Sequence, residues 1–140
     1  TVKYLSGKVT IYSTSPEMSR KAMVYYLDMS FGDREGLITS KNPETCTPEQ
    51  AAFFKEMFIG ADYKENYAIL NNYVKSLGDT IPPFIHLYIG LSPTMKTFGT
   101  TFDPDFGDCY DTAMIITAAD IYPDKYKRYV ESYEKCKVRK

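Results

Sequence analysis

Residues 81–95 read Ile81-Pro82-Pro83-Phe84-Ile85-His86-Leu87-Tyr88-Ile89-Gly90-Leu91-Ser92-Pro93-Thr94-Met95, followed by Phe98-Gly99-Thr100 and Asp103-Pro104-Asp105-Phe106-Gly107. A proline pair fits the first turn of a helix, where the leading amides lack intrahelical partners in any case. The apolar run after it predicts a helix over residues 82 to about 91. A strand is expected near 96–102, a turn at 103–107 and a second strand near 110–117, and the two strands should pair as a hairpin-like unit. Met114-Ile115-Ile116 is the most apolar strand segment in the chain and should be central in the sheet.

Upstream, residues 4–12 are β-branched and aromatic with partial alternation, which predicts a strand; Gly7 within it marks a bulge or a close backbone approach. Ser15-Pro16-Glu17 should open a helix, with Ser15 capping free amides and Met18, Ala22, Met23, Tyr26 and Leu27 on its apolar face. Residues 31–36 end it, and a polar connector runs to Pro43. Thr47-Pro48-Glu49-Gln50 has the spacing of a capping box before a short helix to Phe58. Asp62 caps a third helix, along which Tyr63, Tyr67, Leu70, Val74 and Leu77 form one stripe. Gly78 stands where a left-handed C-terminal residue belongs. Asp120 and Pro123 should open a last helix carrying Tyr126, Tyr129, Val130 and Tyr133, and the end from 135 to 140 is basic. The order of strand, helices, two strands and helix makes the class α+β, without internal repeats.

Composition narrows the function. With 140 residues the chain is one domain by size, able to bury about 68% of its unfolded surface. A formal net charge of −1 argues against a polyanion-binding surface, so no nucleic-acid partner is expected. Three cysteines, Cys46, Cys109 and Cys136, lack CxxC spacing, so neither a disulfide framework nor a zinc site is indicated, and a reducing cytoplasm fits best. No run reaches the roughly 18 apolar residues of a membrane span. Thirteen tyrosines and the basic end leave room for peripheral contact with a membrane. Thr1 is not an initiator methionine, which reads as a cut or omitted segment.

The chemistry is thinly marked. His86 is the single histidine and lies in an apolar run, where a partly buried structural role is expected. There is no G-x-S-x-G elbow, Walker sequence or G-x-G-x-x-G turn, and no EF-hand pattern or other metal-ligand spacing. Asp103-Pro104-Asp105 sets two carboxylates around a rigid proline. They either cap backbone amides in an Asx-type turn or face a cleft and hold, or deprotonate, a substrate ammonium. Asp108 and Asp111 thicken this acidic patch, so an amine is its natural guest.

Residues 81–132, with Pro82-Pro83, Tyr88, Leu91-Ser92, Phe98-Gly99-Thr100, the Asp103 to Gly107 turn, Asp111-Thr112 and Tyr126-Lys127-Arg128, resemble the C-terminal part of the hemolysin-like GNAT N-acyltransferases. These include the ornithine lipid and glycine lipid synthases, and residues 3–27 resemble a further segment of them. The resemblance implies a partial GNAT-like sheet with flanking helices, within the C-terminal part of a longer enzyme. It implies transfer of a 3-hydroxyacyl group from acyl carrier protein, or acyl-CoA, to the α-amine of an amino acid in amino-acid lipid synthesis, with no permanently bound cofactor. On that basis Asp103, Asp105 and Tyr88 are the expected catalytic residues. His86, Leu91, Ser92, Met95, Phe98 and Phe106 are the expected substrate-binding ones. The family grips the carrier arm between two splayed parallel strands and the amides of a following helix. No R/Q-x-x-G-x-G/A turn is present here, so the isolated chain is expected to be inactive and to expose the edge of its first strand to self-association. The same missing loop also fits a noncatalytic binding or assembly domain.

Overall fold

The computed structural model describes residues 3–132 and 135. Tyr133, Cys136 and the basic run from 136 to 140 lie outside the described residues, as does the side chain of Val130. The order is β1 (Tyr4–Ile11), α1 (Glu17–Phe31), α2 (Pro48–Met57), α3 (Tyr63–Ser76), α4 (Pro83–Ile89), β2 (Lys96–Asp103), β3 (Cys109–Thr117) and α5 (Pro123–Tyr126). A single 3₁₀ turn, Ala118–Asp120, precedes α5 and a π-helical turn, Lys127–Glu131, follows it. The class is α+β, consistent with a partial GNAT-like fold.

The three strands form one antiparallel sheet in the order β1-β3-β2. The hairpin forms, and the apolar strand is central because Met114 and Ile116 are buried between its neighbours and the helices. β1 runs beside β3 in unbroken register from Tyr4 opposite Thr117 to Ile11 opposite Tyr110. Gly7 is therefore a close approach and not a bulge: a Cβ placed there would stand 3.1 Å from the Tyr88 hydroxyl. The bulge lies in β2, where Phe98 and Gly99 together oppose Ala113 between the Thr97–Met114 and Thr100–Thr112 pairs.

One face of the sheet is packed. Val9, Ile11, Met114 and Ile116 meet Ala22, Met23 and Leu27 of α1, and Phe54, Leu70, Val74 and Ile85 close the core. Tyr26 is wholly buried and donates its hydroxyl to the carbonyl of Tyr63 at 2.8 Å; burial pushes its pKa upward.

Local signals account for several helix ends. Thr47 accepts from the Gln50 amide, and Gln50 accepts from the Thr47 amide, completing the capping box; a cap of this kind is worth about 1 kcal/mol. Asp62 caps α3 through the Glu65 amide, and Gly78 has φ +76°. Ser15, in contrast, does not cap α1. Pro16 occupies the N-cap position without a side-chain bond, and the Ser15 amide turns back to the Tyr12 carbonyl. Leu77 falls past the end of α3 and is 37% exposed, so the core stripe ends at Val74. The proline helix stops at Ile89, with Gly90 as C-cap, rather than reaching Leu91. Asp120 does not start a helix; it sits in the 3₁₀ turn and accepts from the Thr94 hydroxyl at 2.6 Å.

Candidate functional site

The residues expected to share one cleft fall into separate groups. Tyr88 lies on α4, against Gly7 on the packed side of β1, and stacks on Phe84 at 6.1 Å. Gly7 opposes Met114, whereas the hairpin turn lies beside the Ile11–Tyr110 pair, four residues and roughly 13 Å further along the strand. Leu91 joins Leu5, Leu87, Ile121 and Tyr129 around an apolar depression of about 90 Å³. His86 is exposed, contrary to its expected partial burial, because α4 turns it away from the core and onto the Tyr67 ring at 5.4 Å. It borders a second depression of about 280 Å³ with Tyr63, Ile89 and Gly90. There the hydrogen bond shared with Tyr122 helps push the Tyr63 phenol up to about 12.

Ser92 and Met95 are buried parts of the scaffold. The Ser92 hydroxyl accepts from the Thr94 amide at 3.2 Å, and Met95 joins the core. Phe98 is half-buried in the β2 bulge.

Asp103 accepts from the Asp105 amide at 3.2 Å, which is the Asx-type turn, and Asp105 itself is exposed. Asp103 nonetheless lies on a face of interest. Alternation along the strands puts Lys8, Thr10, Thr101, Asp103 and Asp111 together on the side of the sheet away from the core. Asp111 stands at the centre of this strip. Thr10 donates to it at 2.8 Å and Lys8 approaches at 3.4 Å, while the Lys8 ammonium lies 5.3 Å from the centre of the Phe106 ring. Thr101, opposite Asp111 on β2, shares a 2.6 Å hydrogen bond with Ser40 of the connector. The strip thus presents an anion, a cation and hydroxyls on an open floor, groups that bind and orient a small polar molecule.

Sequence reasoning missed Lys8 and Thr10 and treated Asp111 only as part of an acidic patch. Alternation in β1 would pair Lys8 with Thr10 on one face, but only the strand register shows that the face also holds Asp111. A cavity of about 340 Å³ was also missed. It lies between α1, residues 43–46 and the β2 bulge, over the buried Thr97, Thr100 and Thr112. Among the described residues, no group of three or more His, Cys, Asp or Glu side chains is placed to hold a metal.

The two outer edges of the sheet differ. β2 is paired along its outer side by the connector: Asp33 donates to the Thr97 carbonyl at 2.8 Å, Glu44 to that of Thr100 at 2.7 Å, and Phe102 to that of Asn42 at 3.2 Å. Among the described residues no strand or bridge pairs with the outer side of β1. No helix in the described residues is long and apolar enough to cross a membrane.

No family model matches the chain, and no solved structure does. Two curated proteins do, and both are named glycine N(alpha)-acyltransferase. The protein from Phocaeicola vulgatus is 38% identical over 134 residues, covering 96% of this chain and 41% of the relative. That from Bacteroides thetaiotaomicron is 38% identical over 135 residues, covering 94% of this chain and 39% of the relative. Over nearly its whole length the chain is therefore similar to glycine N(alpha)-acyltransferases, and it spans about two-fifths of theirs.

Proposed function

We propose that this chain is the acceptor-side, C-terminal part of an N-acyltransferase. It would serve amino-acid lipid synthesis by moving a 3-hydroxyacyl group from acyl carrier protein to the α-amine of an amino acid, with glycine the first acceptor to test. The observation that carries the reading is 38% identity to two glycine N(alpha)-acyltransferases along almost all of the chain. The bare edge of β1 supports it, because an unpaired strand at the side of a sheet is a place for another strand to add. In this reading the carrier arm lies beside β1, on a segment outside this chain.

The amine nitrogen attacks the thioester carbonyl, a C–N bond forms, the C–S bond breaks, and the carrier thiolate leaves and takes up a proton. The acceptor ammonium must first give one proton to solvent water, and the second proton lost by the attacking nitrogen goes to the departing thiolate. The carboxylates of the hairpin strip, Asp103 among them, favour that ammonium nearby and orient it toward β1. Asp105, in the exposed turn, extends the same negative field.

Mass spectrometry of the full-length protein incubated with 3-hydroxyacyl carrier protein and glycine tests the reading. An N-acylglycine product is expected. No product with glycine, serine, ornithine or lysine would sink it and favour a noncatalytic binding or assembly role.

A further inference from the structure

An amino-acid acceptor is a zwitterion at neutral pH, and on glycine its two charged groups are separated by a single carbon atom. A site that selects it needs one cation and one anion a few ångströms apart, facing the same open space. The outer face of the sheet holds such a pair. Lys8 Nζ and Asp111 Oδ2 are 3.4 Å apart, and Thr10 fixes the carboxylate from its other oxygen at 2.8 Å. Exposure differs between the two: the Asp111 side chain is 16% exposed and held by Thr10, while that of Lys8 is 59% exposed on a long four-carbon stem. The floor beside them is small, since Ala113 opposes Lys8 and Ser6 precedes it on the same face. A surface ion pair of this exposure adds little to stability, so a structural role gives weak reason for its placement.

We infer that Lys8 and Asp111 form a zwitterion clamp for the acceptor, Asp111 holding the α-ammonium and Lys8 the α-carboxylate. The inference rests on the acyltransferase reading and deepens it by naming the acceptor-selecting residues. Lys8 swings from Asp111 to the carboxylate as the amino acid enters, and Phe106 keeps the ammonium on the hairpin side throughout. Because Asp111 lies on the central strand β3 and Lys8 on β1, the ammonium is held one strand in from the bare edge and the carboxylate on the edge strand, both on the open face.

The test uses the full-length protein with glycine and with glycinamide, which lacks the carboxylate. Lys8→Met should raise KM for glycine about 10- to 100-fold, the scale of one lost hydrogen bond to a charged group, and bring the preference for glycine over glycinamide close to one. Lys8→Arg should restore most of that preference, and Asp111→Asn should raise KM for both acceptors. Thermal melts unchanged among the variants would show that the fold is intact. An unchanged KM and preference in Lys8→Met would overturn the clamp. Calorimetric titration with glycine reads the clamp independently of chemistry. Heat that is present in the parent protein and lost in Lys8→Met supports it even if no product forms, an outcome that would remove the acyltransferase reading alone. Equal heats, or none in the parent, would overturn it.

Discussion

β1 and β2 are the outer strands of the same sheet, with β3 shared between them, yet their outer sides are treated in different ways. Along β2 the connector between α1 and α2 supplies backbone partners at Asp33, Asn42 and Glu44, and Ser40 reaches over to Thr101. Along β1 nothing described does so, although that strand carries the exposed Tyr4 and Leu5 and the Lys8 of the polar strip. The two faces differ in the same way, one closed by α1 and its neighbours and the other presenting Lys8, Thr10 and Asp111. An edge the chain has closed for itself is scaffold; an edge left bare beside a charged floor is, in the function proposed above, where another strand would add to complete a site.

The largest expected effect tests the closed side. Phe54 is fully buried and its ring lies within 5.5–6.4 Å of those of Tyr25, Phe53, Phe58 and Tyr73. Phe54→Ala should cost about 3–5 kcal/mol in urea unfolding, whereas Ser6→Ala on the open face should stay within about 0.5 kcal/mol. Comparable losses would erase the contrast between the faces.

A smaller effect is expected where the helices meet β1. Gly7→Val puts carbon against the Tyr88 hydroxyl at 3.1 Å and its ring at 3.2 Å, an overpacking cost of about 1–3 kcal/mol. Tyr88→Ala in the same chain should remove most of that cost. A double-mutant cycle that comes out additive would show the two residues are not in contact.

The smallest effect concerns the closed edge and is a pH dependence. Asp33 accepts from the amides of Leu37 and Glu35, and the Leu37 bond above all holds its carboxyl below the usual aspartate range. A folded pKa below the unfolded one, about 3.9, means the stabilisation is complete above that value and is lost as pH falls through the folded pKa. Hydrogen exchange at Leu37 and Glu35 should therefore be steady from neutral pH down to the ordinary aspartate range and quicken, beyond the intrinsic pH effect, only below it. Asp33→Asn should remove that dependence. Quickening at higher pH would point to another group.

How much of this was legible in the sequence depended on range. Thr47 with Gln50, Asp62 and Gly78 act within a few residues, so their types and spacing were enough to mark helix ends. Ser15 misled because Pro16 took the cap position and left its side chain without an amide to accept. The β2 bulge and the connector bonds to Thr97 and Thr100 are backbone pairings between distant segments, and no side-chain pattern announces them. The candidate site was half legible for the same reason. Asp103 and Phe106 were found from the turn, but Thr10 and Asp111 are 101 residues apart and meet only through the register of β1 on β3. Tyr88 and the aspartates, close in sequence, were separated by the sheet.

The bare edge is the centre of the account, and hydrogen exchange across β1 in the full-length protein tests it most directly. In an edge strand of an antiparallel pair, alternate amides point away from the partner and exchange quickly. If another strand of the enzyme pairs with β1, every amide from Tyr4 to Ile11 should be protected to the level of β3. Fast exchange at alternate β1 positions, with β3 protected, would contradict the claim that this edge is where the enzyme is completed.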